Sequence, residues 1–189
     1  MDGNRRYAKK NNKKIIEGHQ IGFETLHSML EVCSLLGINT VTVYAFSIEN
    51  FKRPPEENWN KGISSTLNIC FSYTSRDEMT MSVKSIVKMV ENEQLQIKDV
   101  NENLLEQNLF TCGNPPLEIL IRTSGEIRLS DFLLWQCSQN CYIKFVNCYW
   151  PEFSIYHMLP IILDYQANYK SFKTFTCNIS KKKDFFLSD

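Results

Sequence analysis

A chain of 189 residues with 43% hydrophobic and 22% charged residues is long enough for one domain with a packed core, and too apolar to be disordered. Its 21 basic residues balance 21 acidic ones, and a net charge of zero excludes bulk nucleic-acid binding. No apolar run approaches the roughly 18 to 20 residues that span a bilayer, so any membrane association is expected to be peripheral or through a partner.

The chain opens on Asp2-Gly3-Asn4-Arg5-Arg6-Tyr7. Glycine lets backbone N–H groups approach an anion, and the two guanidiniums neutralise it. The Asp2 carboxylate would repel that anion unless a hard divalent cation such as Mg²⁺ lay between them. Lys9, Lys10, Lys13 and Lys14 follow as a solvated, partly helical face. From His19 to Leu36 the apolar residues fall at amphipathic-helix spacing, and Gly37 closes the run. Thr40 to Phe46 is β-branched and aromatic, hence a strand, and it runs into the polar and basic residues Ser47, Glu49, Asn50 and Arg53, with Phe51 among them. A polar connector with Pro54, Pro55, Trp59 and Gly62 leads to a second strand, Leu67 to Tyr73.

A helix is expected from Arg76 to Gln94, a short one from Asn101 to Asn108, and a loop over Gly113-Asn-Pro-Pro116. The buried strand Leu117 to Ile121 then delivers Arg122, Arg128 and Ser130 just past its carboxyl end, where open α/β sheets bind their ligands. Arginine offers a planar fork that matches phosphate oxygens, and serine adds a short neutral donor. A helix over Asp131 to Cys137, a strand near Tyr142 to Val146 and a closing helix from Ser154 to about Asn168 complete the order. The tail from Ser171 reads as poorly ordered.

Strands alternating with helices predict an α/β fold with a mostly parallel central sheet flanked by helices, as a single domain over residues 1–170. Each strand-then-polar-end unit has a bland reading alone, since Asp-Gly-Asn is a common turn and an arginine can be plain surface charge. Three together point to a site for a phosphorylated small molecule. The seven cysteines are odd in number with no Cys-x-x-Cys pair, and read as reduced thiols in a cytosol-facing protein. A zinc site from Cys137, Cys141 and Cys148 fits no common spacing. The polar, basic amino terminus shows no secretory signal.

The blocks Asp2–Lys10, Glu17-Gly18-His19, Thr40–Arg53, Asn68–Arg76, Ile119–Gln136 and Trp150-Pro151-Glu152 occur in the order of the cis-prenyltransferases, the undecaprenyl and dehydrodolichyl diphosphate synthase family. The chain resembles that family, and within it the eukaryotic dehydrodolichyl diphosphate synthase catalytic subunit. The resemblance implies condensation of isopentenyl diphosphate with an allylic diphosphate, farnesyl diphosphate at the start, to make a long-chain polyprenyl diphosphate for dolichol synthesis and protein glycosylation. It implies that Asp2 holds Mg²⁺, that Gly3, Asn4, Arg5, Arg6 and Tyr7 cradle the allylic diphosphate with His19 nearby, and that Arg122, Arg128 and Ser130 take the homoallylic one. Ser47, Glu49, Asn50, Phe51 and Arg53 would line the reacting centre, with Asn50 near the proton that is lost.

It further implies an accessory subunit of the Nogo-B receptor type and a peripheral place on the cytosolic face of the endoplasmic reticulum. Two departures stand out. Against the family pattern the chain is expected to lack the first strand and, near residues 54–66, a helix-helix-strand segment that walls the product tunnel. That shortening leaves open a second reading, a catalytically silent isoform or paralogue that binds diphosphates or the accessory subunit.

Overall fold

The computed structural model describes residues 1–45 and 65–186. Ser47, Glu49, Asn50, Phe51, Arg53 and the shortened connector lie outside the described residues. In chain order the helices and strands are α1 (Asn4–Lys10), α2 (Ile15–Leu35), β1 (Thr40–Ala45), β2 (Thr66–Phe71), α3 (Ser75–Glu91), α4 (Glu102–Gln107), β3 (Ile119–Arg122), α5 (Leu134–Cys137), β4 (Tyr142–Phe145) and α6 (Ile155–Phe186). Short 3₁₀ turns cover Ile97–Asp99 and Trp150–Glu152. Among the described residues no helix is long and apolar enough to cross a membrane.

The strands are parallel, as their alternation with helices predicts, and they hydrogen-bond in two pairs. β1 runs beside β2 from Thr40↔Thr66 to Ala45↔Phe71, and β3 beside β4 from Ile119↔Tyr142 to Arg122↔Phe145. The chain divides into two compact units. The first holds Met1, Cys33–Pro116 and Arg128–Trp135; the second holds Asp2–Val32, Leu117–Ile127 and Gln136–Asp189.

In the first unit, local signals set the helix starts. The Thr74 hydroxyl accepts from the Asp77 N–H at 3.3 Å and caps α3, and the Asn101 side chain accepts from the Leu104 N–H at 3.0 Å and caps α4. The Ser82 hydroxyl donates to the Leu105 carbonyl at 2.8 Å, which ties α3 to α4. Between them lies a fully buried carboxylate. Glu78 is 0% exposed and accepts from the Tyr73 hydroxyl and, at 2.9 Å, from the Phe110 N–H. Burial, with the hydrogen bond to Glu78 behind it, pushes the Tyr73 phenol well above its ordinary pKa.

Removing Glu78 strands the buried Tyr73 hydroxyl, which costs about 1–3 kcal/mol when unsatisfied, and leaves the part-buried Phe110 N–H to water. Glu78→Ala is therefore expected to lower stability by about 1–3 kcal/mol in urea unfolding, and a loss below about 1 kcal/mol would show that water replaces the carboxylate.

One predicted helix starts late. Ser130, Asp131 and Leu133 take left-handed backbone at φ 49°, 62° and 48°, so α5 begins only at Leu134 and not at Asp131. Left-handed conformation is costly for non-glycine residues and persists where surroundings over-determine it. Here Asp131 accepts from the Arg76 N–H at 3.2 Å and from Arg76 Nε at 2.8 Å, and its carbonyl accepts from the Ser75 N–H at 2.7 Å. The fully buried Ser75 hydroxyl then accepts from the Leu134 N–H at 3.0 Å.

In the second unit, α1 lies on α2 where two glycines one turn apart leave room. A Cβ on Gly18 would stand 2.5 Å from the Asn4 carbonyl oxygen and 2.8 Å from Ala8 Cβ, and one on Gly22 would strike the Asn4 side chain. Trp150 Nε1 donates to the Gly22 carbonyl at 2.7 Å, so the 3₁₀ turn after β4 grips the same helix. α6 continues to Phe186 where the sequence reading ends it near Asn168. Residues 167–186 contain neither proline nor glycine, so no residue type breaks the helix there.

Candidate active site

The strand β3 ends on Arg122, and Arg122, Ser124 and Gly125 are held by backbone bonds to the segment after β4. The Val146 N–H donates to the Arg122 carbonyl at 2.8 Å, the Ser124 N–H to the Cys148 carbonyl at 2.6 Å and the Gly125 N–H to the Val146 carbonyl at 3.0 Å. These bonds force Ser124 and Gly125 into left-handed backbone at φ 77° and 68°. The turn aims the buried Ser124 hydroxyl at the chain's opening segment, where it donates to the Asp2 carbonyl at 2.8 Å. The Trp150 N–H donates to the same carbonyl at 3.1 Å. Gly3 follows at φ 97°, and a Cβ there would collide with the Ser124 hydroxyl and stand 2.8 Å from a Tyr149 ring carbon. Glycine is thus required at position 3 for two independent reasons.

This backbone anchoring brings Asp2 to Arg122 across 120 positions of sequence. Asp2 Oδ2 lies 3.6 Å from Arg122 Nη2, and Asp2 Oδ1 lies 3.3 Å from Arg6 Nη2 one helical turn on. Arg6 Nη1 donates to Glu126 Oε1 at 2.9 Å, and its guanidinium stands 5.7 Å over the Tyr149 ring. Lys10 approaches the same ring at 5.5 Å while pairing with Glu152 at 3.3 Å. Partial burial works to lower the Arg6 pKa, but the charge of Asp2 and the hydrogen bonds to Glu126 and Asp2 outweigh it and raise it.

The arrangement alternates carboxylate and guanidinium. Arg122 is only 16% exposed on its side chain, whereas Asp2 is 45% exposed and open to a ligand. Asn4 Nδ2 sits 3.5 Å from His19 Nδ1.

Of the residues the sequence singles out, Asp2, Gly3, Asn4, Arg6, His19 and Arg122 come together in the second unit. Arg5 and Tyr7 share α1 with them, Arg5 exposed and Tyr7 half-buried. Arg128 and Ser130 belong to the first unit, on the segment that leads into the left-handed turn before α5. Three residues were missed: Ser124, Glu126 and Tyr149. Ser124 and Glu126 sit inside the Ile119–Gln136 block, and Gly125 between them is the signal of a tight turn past a strand.

The undecaprenyl diphosphate synthase family model matches residues 1–60 and 57–173. The chain belongs to that family. A dehydrodolichyl diphosphate synthase complex subunit of Schizosaccharomyces pombe is 39% identical over 217 aligned positions, covering 88% of this chain and 82% of the relative. The human subunit of the same name is 38% identical, with 89% of this chain and 66% of the relative covered. A crystal structure of lavandulyl diphosphate synthase from Lavandula x intermedia, in complex with dimethylallyl diphosphate, superposes with a TM-score of 0.75 at 24% identity, covering 87% of this chain and 92% of that one. At that identity the likeness establishes the cis-prenyltransferase fold.

The 217-position alignment is longer than the 189-residue chain, so it must carry gaps opposite residues that the relative has and this chain lacks. The family match likewise falls in two segments, which overlap at residues 57–60 inside the connector that the sequence reading marks as shortened.

The charge alternation carries its own test. Glu126→Gln keeps an oxygen for Arg6 to donate to and removes one negative charge from the rim. A unit charge a few ångström away in high dielectric is worth on the order of 1 kcal/mol. Inorganic pyrophosphate is therefore expected to bind roughly two- to fivefold tighter to Glu126→Gln, by calorimetry at low ionic strength. Unchanged or weaker binding would place the anion elsewhere.

Proposed function

We propose that this chain is a catalytic-type subunit of a dehydrodolichyl diphosphate synthase, condensing isopentenyl diphosphate with an allylic diphosphate, farnesyl diphosphate at the start, to build a polyprenyl diphosphate for dolichol synthesis and protein glycosylation. Membership of the family supports the reaction class, and two relatives named as complex subunits support a heteromer with an accessory subunit of the Nogo-B receptor type. The proposed place is the cytosolic face of the endoplasmic reticulum membrane, held peripherally. The observation that carries the reading is the Asp2 carboxylate placed between Arg6 and Arg122, since a diphosphate site built on a carboxylate requires a cation between the two anions.

The donor set fits Mg²⁺. Among the described residues there is no group of three or more His, Cys, Asp or Glu that could hold an ion. Mg²⁺ binds by one or two carboxylates with substrate phosphates supplying further oxygens, and Asp2, at 45% exposure, has lone pairs to offer. When bound there, the ion would stabilise charge on the departing diphosphate.

The chain's own groups do the rest. Arg6, kept charged by its two carboxylates and oriented by Glu126, presents a guanidinium to the allylic diphosphate; Gly3 lets backbone approach it. Arg122 presents the second guanidinium to the homoallylic diphosphate from a rigid strand end, so both phosphates meet positive groups that need no rearrangement. Asn4 lies against His19 and would help to position its ring beside the allylic diphosphate. By the family resemblance, Asn50 would act near the proton that is lost.

A second reading, a catalytically silent isoform that binds diphosphates or the accessory subunit, is favoured by the gaps in the alignment and the broken family match. Loss of the tunnel wall removes the dry surface for the growing chain, at about 0.8 kcal/mol per CH₂ left wet. The two separate in one assay: the full chain with a co-expressed accessory subunit, Mg²⁺, farnesyl diphosphate and labelled isopentenyl diphosphate. Labelled polyprenyl product is the expected result. Pyrophosphate binding without product would establish the silent form instead, and neither would overturn both.

A further inference from the structure

Backbone strain in the first unit is concentrated on one short segment, where Ser130, Asp131 and Leu133 all hold left-handed conformation. Such residues cost free energy and cluster at sites that use the geometry they enforce. One residue of α3 engages both oxygens of the Asp131 carboxylate: the Arg76 N–H donates to Oδ1 at 3.2 Å, and Arg76 Nε to Oδ2 at 2.8 Å. Just beyond, the Phe132 ring packs against the rings of Tyr44 and Tyr73, at 5.1 and 5.8 Å, and Leu133 is buried. The Tyr44 hydroxyl donates to the Tyr73 carbonyl at 3.2 Å, so the two rings are tied to each other. We propose that Arg76 is a positioning residue for substrate: by clamping Asp131 it fixes the backbone of Ser130 and aims the Ser130 hydroxyl at the homoallylic diphosphate. This inference rests on the reading, implied by the family resemblance, that Ser130 takes that diphosphate.

The fold alone does not call for this clamp. Phe132 and Leu133 already anchor the turn in the core, and the Ser75 N–H and hydroxyl bind the Asp131 carbonyl and the Leu134 N–H on its other side. The Arg76 side chain is 81% exposed against 13% for Asp131, and an ion pair with so wet a partner adds little to stability. Its effect falls on conformation instead. Aspartate is among the few side chains that tolerate left-handed backbone, whereas serine is not. Ser130 therefore keeps φ 49° only while its neighbour is held, and release would turn its Cβ, and the hydroxyl with it, to another direction. A hydroxyl fixed before the ligand arrives needs no ordering on binding, and that ordering costs roughly three- to tenfold in affinity.

The test titrates isopentenyl diphosphate into the full chain and four variants by calorimetry, which reads binding whether or not the chain turns over. Ser130→Ala is expected to weaken binding about tenfold or more. Arg76→Ala is expected to weaken it roughly three- to tenfold, with the urea midpoint nearly unchanged. In the Ser130→Ala background, Arg76→Ala is expected to cost less than about twofold more, because the group it positions is gone. A purely structural role would not show that coupling.

A full further loss in that background would overturn the positioning role. So would unchanged affinity in Arg76→Ala, or a large fall in its urea midpoint. Arg76→Lys keeps the charge beside Asp131 but not the planar Nε donor, so partial recovery is expected, and full recovery would overturn the geometric clamp. Normal binding by Ser130→Ala, or none by the unsubstituted chain, would remove the reading of Ser130 itself and this inference with it.

Discussion

Asp2→Asn is expected to lower the turnover number of prenyl transfer by at least about 10²-fold while leaving the fold intact. The substitution is nearly isosteric, and the backbone of residue 2 keeps its anchors, since the Asp2 carbonyl, not the side chain, accepts from Ser124 and Trp150. The side-chain ion pairs that are lost, to Arg6 and Arg122 at 3.3 and 3.6 Å, involve an Asp2 that is 45% exposed, so they contribute no more than about 1 kcal/mol to stability. The chemical cost is larger. An amide offers no negative charge to a cation and turns an N–H₂ towards one of two guanidiniums that themselves only donate.

Charge stabilisation that matters only as the diphosphate departs is worth several kcal/mol and appears in kcat more than in KM. Inorganic pyrophosphate without a divalent cation is expected to move the other way and bind slightly tighter, because a repelling charge is gone. The paired measurement is decisive: unchanged kcat removes Asp2 from the metal-holding role, and weaker metal-free binding shows that the carboxylate was orienting the arginines.

The parts of this fold that local chemistry dictates were legible in the sequence. α2, α3 and α4, and all four strands, fall within a few residues of their predicted bounds because their signals are short-range: the Thr74 and Asn101 caps, the Gly37 stop at φ 74°, the β-branched run of β1. Long-range clamps produced the differences. The left-handed turn at Ser130–Leu133 exists because Arg76 and Ser75, more than fifty positions earlier, hold Asp131, and no window around residue 131 encodes that. Glu78, which the sequence does not single out, is the buried acceptor for donors on Tyr73 and Phe110.

The site divides the same way. Asp2, Arg6 and Arg122 were legible because their residue types are the chemistry. Ser124, Glu126 and Tyr149 were not, because their work is to position others: Ser124 anchors the Asp2 backbone, Glu126 orients Arg6, and the Tyr149 ring lies under Arg6 and Lys10.

Arg122→Ala is expected to weaken inorganic pyrophosphate binding about 10- to 100-fold and to raise KM for isopentenyl diphosphate far more than KM for the allylic substrate. Arg122 is the better-shielded of the two guanidiniums, with 16% side-chain exposure against 43% for Arg6, so its charge is less screened. It also stands on a strand end fixed by the Val146 N–H bond to its carbonyl, which means little ordering is required when a ligand arrives. A charge-assisted hydrogen bond to such a group contributes about 1.5–3 kcal/mol, the equivalent of about one to two powers of ten in affinity.

Arg122→Lys separates charge from shape. Lysine restores the positive charge but not the two parallel donors, so partial recovery is expected if the fork matters, and full recovery would show that charge alone acts. Losing Arg122 also leaves Asp2 paired only with Arg6, which draws Arg6 further from the allylic side. A modest rise in the allylic KM is therefore expected beside the large homoallylic one, and a larger effect on the allylic substrate would exchange the two subsites.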